Sequence, residues 1–399
     1  NARRRKMSNN LKGNPVEGFA EKSREAAVEG IVLLKNEGNV LPLTEDDKIS
    51  VFGRPMIEYY RSGTGSGGAV NVEYTTNILD GFENSNLNLN KKIVEDYKEW
   101  LKDHPFDNGG GGWACEPWFQ KDMEITADYA KKQAESTNKA VYIIGRTAGE
   151  DKDNANWVGS YLLTDEEKEN LKNITEAFED VCVVLNVSNI IDLKWIDEEQ
   201  FKGHIKSVII VWQGGMEGGN AVAEALSGKA TPSGKLPDTV AYDIEDYPAN
   251  DNFGNELTNL YKEDIYVGYR YFETFAPEKV QFEFGFGLSY TTFDIETVSA
   301  DADDEKITLE VKVTNTGDKF SGKEVVQVYY EAPQGALGQP ARQLCAYEKT
   351  ENLAPGQSQT LKIAFDINGI ASYDDSGVTG NKSCYVLEAG DYNFYVGNS

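Results

Sequence analysis

Residues 140–144 read AVYII, an unbroken apolar run with a helix-forming segment on either side. Four similar runs occur between residues 31 and 212: IVLL at 31–34, ISVF at 49–52, VCVVL at 181–185 and VIIVW at 208–212. The segments around them predict helices over residues 16–29, 91–101, 122–134, 165–178 and 217–226. Apolar runs separated by amphipathic helices are typical of a mostly parallel sheet covered on both faces. We therefore predict that residues 16–242 form an α/β domain, a three-layer sandwich with a mostly parallel sheet.

The periodicity changes after Thr291. Apolar and polar residues then alternate in four runs: ITLEVKV at 307–313, VVQVYY at 325–330, TLKIAF at 360–365 and YNFYV at 392–396. Turn sequences such as NTGD and APG separate these runs, which predicts a small antiparallel all-β sandwich over residues 291–399. The intervening residues 243–290 are rich in aromatic side chains, so we expect an ordered linker. Residues 1–15 are left as an N-terminal lead.

Composition excludes several classes of partner. The chain has 66 acidic and 39 basic residues and a formal charge of -27. Such a charge repels phosphate backbones and anionic lipids, so we expect no nucleic acid and no membrane among its partners. The chain begins with Asn rather than Met, and no long apolar segment follows. We expect that its true start is missing and that the protein is cytoplasmic.

Cysteine and histidine usage leaves little material for metal or triad chemistry. The four cysteines lie far apart without a CxxC pair, and we expect buried thiols rather than a disulfide framework. They are Cys115, Cys182, Cys345 and Cys384. The two histidines, His104 and His204, lie in polar surroundings. We therefore predict neither a metal site nor a cofactor.

A glycine cluster, GTGSGG at residues 63–68, fits the GxGxxG pattern. A phosphate-binding turn must leave a strand directly and open a helix. Here the strand should end near Gly53 and the next helix should start only near Thr75, which disfavours a nucleotide site. A mobile surface loop and a loop that closely approaches a polar ligand remain as alternatives. Within the cluster, Ser66 is the side chain best suited to hydrogen-bond a sugar hydroxyl.

A second candidate, GRTAGEDKD at residues 145–153, directly follows the AVYII run. In open α/β sheets, ligand groups collect beyond the carboxyl ends of the strands, where Glu150 should lie. A glycine before a carboxylate suits a group that must reach a bond and titrate. Local sequence alone nevertheless favours a solvated acidic loop formed by Glu150, Asp151 and Asp153.

Three other features have mainly structural interpretations. Glu217, within WQGGMEGG at residues 212–219, should lie in a first helical turn, where the helix dipole and free amides favour a carboxylate. Asn186, at another strand end, should cap a loop. An insertion at residues 85–137 contains Trp113 and Trp118, which fit either an aglycone-side lip or a surface excursion.

Eight motifs resemble, in the same order, those of glycoside hydrolase family 3. They are AAVEGIVLLKNEGNVLPL at 26–43, GTGSG at 63–67, RTAGE at 146–150, VWQGGMEGG at 211–219, TPSGKLP at 231–237, YKEDIYVGYRY at 261–271, FGFGLSY at 284–290 and VTNTG at 313–317. The resemblance runs from the α/β part into the β-sandwich. It implies that the α/β sandwich is followed by a fibronectin type III-like, immunoglobulin-like domain.

In this family the active site lies where the sandwich meets a (β/α)8-type barrel. The resemblance implies that a barrel aspartate attacks the anomeric carbon and that the β-glucosidase acid/base is a sandwich glutamate, which matches Glu150. It further implies that Ser66 contacts the sugar in the −1 subsite. The two carboxyl groups of a retaining enzyme lie roughly 5–5.5 Å apart, so the barrel should raise the pKa of Glu150. Without the barrel, we expect Glu150 to titrate as an ordinary glutamate.

The resemblance thus implies part of a retaining, exo-acting β-glucosidase that hydrolyses terminal non-reducing β-D-glucosyl residues. The barrel pattern and its nucleophile motif are not found in this sequence. We expect a barrel from the same gene, on either side of these residues, or from a companion chain, and an inactive chain without it. A β-xylosidase of the same family and a non-catalytic carbohydrate-binding or assembly module are the alternatives. A homo-oligomer is left open, with the fibronectin-like domain as a contact surface.

Overall fold

The computed structural model describes residues 16–68 and 70–399, and the predicted N-terminal lead at 1–15 lies outside them. The described residues divide into two compact units. The first contains residues up to 31, residues 35–191 and residues 197–230, and the second contains residues 32–34, 192–196 and 231–399. The boundaries predicted at residues 242 and 290 stay predictions.

Helices and strands alternate between residues 19 and 226. The helices there are α1 (Phe19–Gly30), α2 (Ile78–Asn84), α3 (Lys91–Asp103), α4 (Ala127–Ala134), α5 (Asp165–Ala177) and α6 (Gly218–Leu226). The strands are β1 (Val32–Asn36), β2 (Lys48–Phe52), β3 (Asn88–Leu89), β4 (Lys139–Gly145), β5 (Asp180–Asn186) and β6 (Ile205–Ile210). These six strands form one sheet in the order β1-β6-β5-β4-β2-β3.

The sheet confirms the predicted α/β sandwich. Strand β2 pairs in parallel with β3 and β4, and β5 pairs in parallel with β4 and β6. Consecutive side chains of a strand point to opposite faces, yet the last six residues of both β4 and β5 are all buried. Both faces of the sheet are therefore covered. The covering helices include α1 and α2, which pack against α6, and α4, which packs against α5.

Two predicted boundaries in this part are wrong. The helix predicted to start at residue 122 begins at Ala127, because buried Asp122 instead accepts hydrogen bonds from the backbone of Arg54 and Met123. The strand predicted over 208–212 begins at Ile205, since the buried hydroxyl of Ser207 finds a partner in Asn36. In both places a satisfied buried polar group overrides the apolar pattern.

The second unit contains the predicted antiparallel β-sandwich. Its elements are β7 (Val240–Ala241), α7 (Tyr269–Phe275), β8 (Val280–Phe282), β9 (Phe293–Ala302), β10 (Lys306–Asn315), β11 (Val325–Glu331), β12 (Gln343–Lys349), β13 (Ser358–Asp366), β14 (Ser372–Asp374), β15 (Cys384–Val386) and β16 (Asn393–Gly397). This unit contains two three-stranded sheets, β13-β10-β9 and β12-β11-β16, and two separate two-stranded sheets, β14-β15 and β7-β8. Val311, Val313, Val326 and Val328 lie in the sandwich core.

The periodicity analysis missed β9, β12 and α7. Strands β9 and β12 lie at the edges of their sheets, where most side chains are only partly buried or exposed, so the apolar alternation is weak. Helix α7 lies in the segment interpreted as irregular. Its rings are held by other aromatic rings, with Tyr269 stacked on Phe284 at a centroid distance of 4.5 Å.

The prediction of buried thiols is correct for Cys182, which lies inside β5. It is wrong for Cys115 and Cys384, which are exposed because they lie among polar and glycine residues near the surface. Cys345 is half-buried. Among the described residues, no helix has the length and apolarity needed to span a membrane.

The loop after β14 is held together by a single buried carboxylate. Asp374 accepts hydrogen bonds from the backbone of Gly377, Val378 and Thr379 and from the Thr379 hydroxyl, at 2.6 to 3.1 Å. The Thr379 hydroxyl is the largest cause that lowers the pKa of Asp374, and together with the amides it brings the pKa to about 2, against the effect of burial. The ionised form is therefore the one that stabilises this loop.

We predict an acid-sensitive contribution of Asp374 to stability. A carboxylate whose pKa is lowered in the folded state stabilises it above the unfolded pKa, about 3.9. This contribution should disappear as the pH falls from about 4 through about 2. Asp374→Asn should lower the unfolding temperature at neutral pH, and it should reduce the change in unfolding temperature between about pH 4 and about pH 2. Asp375→Asn, at an exposed neighbour, is the control, and an unchanged Asp374→Asn profile would contradict the interpretation.

Candidate active site

The candidate acid, Glu150, lies on the loop that follows β4, residues 146–153, which we call the acid loop. Glu150 comes five residues after Gly145, the last residue of that strand, and its side chain is exposed. The glycine cluster follows the neighbouring strand β2, which pairs in parallel with β4. The carboxyl ends of parallel strands meet at one edge of a sheet, so both segments leave from the same edge.

The structure brings the two predicted site residues together. Oε2 of Glu150 accepts a hydrogen bond of 2.8 Å from the backbone N–H of Ser66 and one of 2.6 Å from its hydroxyl. Within the part of the chain that the structure describes, Oε1 of Glu150 accepts no hydrogen bond. The exposed carboxylate is therefore held through Oε2, and Oε1 is left without a donor among the described residues.

The glycine cluster serves as a close-packed support for the acid loop. Backbone contacts join the two segments. The N–H of Thr64 donates to the carbonyl of Ala148 at 3.0 Å, and Thr64 forms an isolated parallel β-bridge with Gly149. Gly65 has a φ of +82°, and a Cβ built on it would lie 2.3 Å from Cβ of Glu150. The cluster follows β2 only after ten residues, and α2 begins at Ile78, so it lacks the strand-turn-helix geometry of a phosphate site.

The expectation that Glu150 titrates as an ordinary glutamate in this chain is wrong. The hydrogen bond from the Ser66 hydroxyl is the largest cause that lowers the pKa of Glu150, and the Ser66 backbone bond adds to it. Both donors stabilise the ionised carboxylate. Glu150 is therefore more acidic here than a free glutamate.

A buried ion pair anchors the start of the acid loop. The guanidinium of Arg146 donates to both carboxylate oxygens of Glu167 at 2.6 Å, and it also donates to the carbonyls of Gly145 and Ser160. Glu167 closes the predicted capping box with Thr164 at the start of α5. A buried ion pair is tolerated when hydrogen bonds satisfy it, as they do here. The loop is thus fixed to α5 four residues before Glu150.

The insertion places tryptophans beside the acid loop. The indole N–H of Trp113 donates to the carboxylate of Asp151 at 2.7 Å, and that of Trp118 donates to the carbonyl of Asp153 at 2.9 Å. Trp113 is 55% exposed, so its ring retains a free surface. Trp157, which sequence analysis did not single out, is 63% exposed and lies edge-on to Trp118 at 5.5 Å. The sequence signal that could have identified Trp157 was its position seven residues after Glu150.

Glu217 is a buried structural carboxylate, but its partners differ from those expected. Side chains rather than helix amides hold it: Tyr74 donates at 2.6 Å, Asn220 at 2.9 Å and Arg24 at 3.3 Å. Asn186 caps a loop as predicted, by bonding to both backbone groups of Tyr60. Among the described residues, no group of three or more His, Cys, Asp or Glu side chains is placed to hold a metal ion.

Comparison with known families gives the class of protein: the α/β sandwich and fibronectin-like part of a glycoside hydrolase. The family model for the glycosyl hydrolase family 3 C-terminal domain matches residues 31–290, and that for the fibronectin type III-like domain matches residues 324–399. The chain therefore belongs to glycoside hydrolase family 3. The fold class predicted from sequence is confirmed.

Relatives of this chain are β-glucosidases. A β-glucosidase of Ruminococcus albus is 50% identical over 95% of this chain and 39% of its own length. The crystal structure of a β-glucosidase from Paenibacillus barengoltzii matches with a TM-score of 0.96 and 57% identity, covering 98% of this chain and 42% of that one. β-Glucosidase 3B from Thermotoga neapolitana, in complex with α-D-glucose, matches with a TM-score of 0.87 and 33% identity, over 97% of this chain and 53% of that one. The chain thus spans about half of these relatives or less.

The contact between Gly65 and Glu150 makes a matched glycine comparison possible. In the complete gene product, Gly65→Ala should displace the acid, because the new Cβ meets both Cβ and Oε2 of Glu150. If Glu150 acts as a general acid, whose loss typically costs about 10²- to 10⁴-fold in rate, kcat for a β-glucoside whose leaving group needs protonation should fall by at least about 100-fold. Gly67→Ala is the control, since a Cβ there meets nothing within 4 Å. Equal rates for the two variants would contradict the assigned contact.

Proposed function

We propose that this chain is the acid/base-supplying part of a retaining, exo-acting β-glucosidase that hydrolyses terminal non-reducing β-D-glucosyl residues. The observation that carries the proposal is Glu150, a carboxylate beyond the carboxyl end of a parallel strand, held through Oε2 and open at Oε1. The names of the relatives support β-glucosides as substrates, and the glucose complex of the Thermotoga protein supports a glucosyl-binding site.

The proposed reaction has two proton transfers through Glu150. In the first step, an aspartate of the barrel forms a bond to the anomeric carbon while the glycosidic bond breaks. The electron pair of that bond stays with the leaving oxygen, which takes the proton of Glu150. In the second step, Glu150 takes a proton from water, whose oxygen bonds the anomeric carbon and releases the aspartate.

A barrel is the proposed partner because it would supply the attacking aspartate, which is also the second carboxylate beside Glu150. Ser66 lowers the pKa of Glu150, which keeps the isolated group ionised near neutral pH. A second carboxylate roughly 5–5.5 Å away, together with partial desolvation, would oppose ionisation and raise this pKa. We therefore expect this chain alone to be inactive on β-glucosides.

Azide rescue tests the assigned role. In the complete gene product, Glu150→Gly should reduce the hydrolysis of a substrate that needs acid assistance by about 10²- to 10⁴-fold. With a nitrophenyl β-glucoside, whose leaving group needs little protonation, azide should restore turnover and yield β-glucosyl azide. The retained configuration of that product, determined by NMR, reports a retaining mechanism.

Asp153→Asn is the matched control, because Asp153 is an exposed carboxylate on the same loop. It should keep the wild-type rate and show no azide effect. A Glu150→Gly enzyme with wild-type activity would exclude Glu150 as the acid/base. If the wild type hydrolysed a nitrophenyl β-xyloside faster than the nitrophenyl β-glucoside, a β-xylosidase would be indicated instead. Sugar binding without turnover would indicate a binding module.

A further inference from the structure

Both hydrogen-bond donors of Ser66 converge on the same oxygen of Glu150. The N–H to Oε2 distance is 2.8 Å and the hydroxyl to Oε2 distance is 2.6 Å. A backbone N–H can only donate a hydrogen bond. A proton on Oε2 that pointed toward the Ser66 N–H would therefore place two donor hydrogens against each other. A hydroxyl, by contrast, can donate or accept. The two contacts therefore have different consequences for the protonation of Glu150.

We propose that Ser66 is the positioning residue of the acid/base: its N–H keeps Oε2 as an acceptor, which makes Oε1 the oxygen that delivers and receives the catalytic proton. This inference rests on the proposed function of Glu150. The proton leaves Oε1 for the glycosidic oxygen as the glycosidic bond breaks. In the second step, the proton lost by water returns to Oε1.

The backbone around Ser66 is built to hold this geometry. Thr64 donates through its N–H to the carbonyl of Ala148 at 3.0 Å and through its hydroxyl to the carbonyl of Glu150 at 3.1 Å. The N–H of Gly68 closes a turn onto the carbonyl of Gly65 at 3.1 Å. Ser66 thus lies in a turn that is tied on one side to the loop whose carboxylate it binds.

The Ser66 hydroxyl adds a second effect, since it stabilises Glu150 in the ionised form in which it must accept a proton from water. The acid loop itself carries Arg146, which is paired with Glu167, and Asp151, Lys152 and Asp153 beside Glu150. The segments next to the loop add Glu116 of the insertion and Arg61 before the glycine cluster. The pKa of Glu150 is lowered by the two bonds from Ser66, with burial opposing them. Removing the hydroxyl should therefore raise this pKa.

A pH profile separates this role from simple sugar binding. In the complete gene product, we would measure kcat and kcat/KM from pH 4 to 9 for a β-glucoside whose leaving group needs protonation, with Ser66→Ala, Ser66→Thr and Ser62→Ala. The alkaline limb of kcat/KM reports the free enzyme's acid. In Ser66→Ala it should move upward by about 0.5 to 1 pH unit, because two or three such bonds can lower a carboxyl pKa by about two units.

Ser66→Thr keeps both donors and should restore the wild-type limb, while Ser62→Ala should leave it unchanged. An increase in KM for Ser66→Ala without movement of the alkaline limb would overturn the effect assigned to the Ser66 hydroxyl, since the hydroxyl would then contact only the sugar. Neutron diffraction at a pH below that limb provides the second measurement. A proton on Oε1 is expected, and a proton on Oε2 would overturn the assignment.

The azide experiment distinguishes a failure of the proposed function of Glu150 from a failure of the role proposed for Ser66. If azide fails to rescue Glu150→Gly, the proposed function itself fails. If azide rescues the variant but Ser66→Ala keeps the wild-type pH profile, Glu150 remains the acid and the role of the Ser66 hydroxyl is refuted. A proton found on Oε2 of Glu150 would refute the role of the Ser66 N–H.

Discussion

The candidate site depends on the parallel pairing of β2 with β4. This pairing aligns Phe52, the last residue of β2, with Tyr142 of β4, so the segments that follow both strands leave from the same edge of the sheet. Ser66 and Glu150 are 84 positions apart in the chain, yet they are within hydrogen-bond distance. A different strand order would separate the donor from the carboxylate without changing either motif.

Rigidity at the base of the acid loop and exposure at its tip serve different needs. Arg146 is buried and bonded to Glu167 through both of its terminal nitrogens, which fixes the loop to α5. Glu150 is exposed, as the proposed acid/base must be in order to reach a substrate. General acid catalysis requires a side chain in hydrogen-bond reach of the reacting oxygen. An anchored loop supplies that placement while the carboxyl group stays accessible.

Glycine has a steric role here rather than a phosphate-binding one. Gly65 permits the backbone to approach Glu150, and Gly63 lies similarly close to the carbonyl of Ala148. This proximity lets Ser66 reach the carboxylate with its backbone N–H, a donor that no side-chain substitution removes. In the proposed enzyme, Ser66 favours the ionised acid/base and the barrel favours the protonated one, so the pKa of Glu150 depends on both parts being assembled.

Local sequence was sufficient to predict the fold class. Unbroken apolar runs indicate strands that are buried on both faces, and alternating runs indicate strands that are buried on one face. The resemblance carried by the RTAGE and GTGSG motifs nominated Glu150 and Ser66, whose catalytic and sugar-binding roles stay predictions. Only the tertiary structure decided that Ser66 donates to Glu150, that this bond lowers the pKa of the carboxyl group, and that Trp113 reaches the adjacent Asp151. These contacts join residues far apart in the chain, and they depend on the order of strands in the sheet, which local periodicity does not encode.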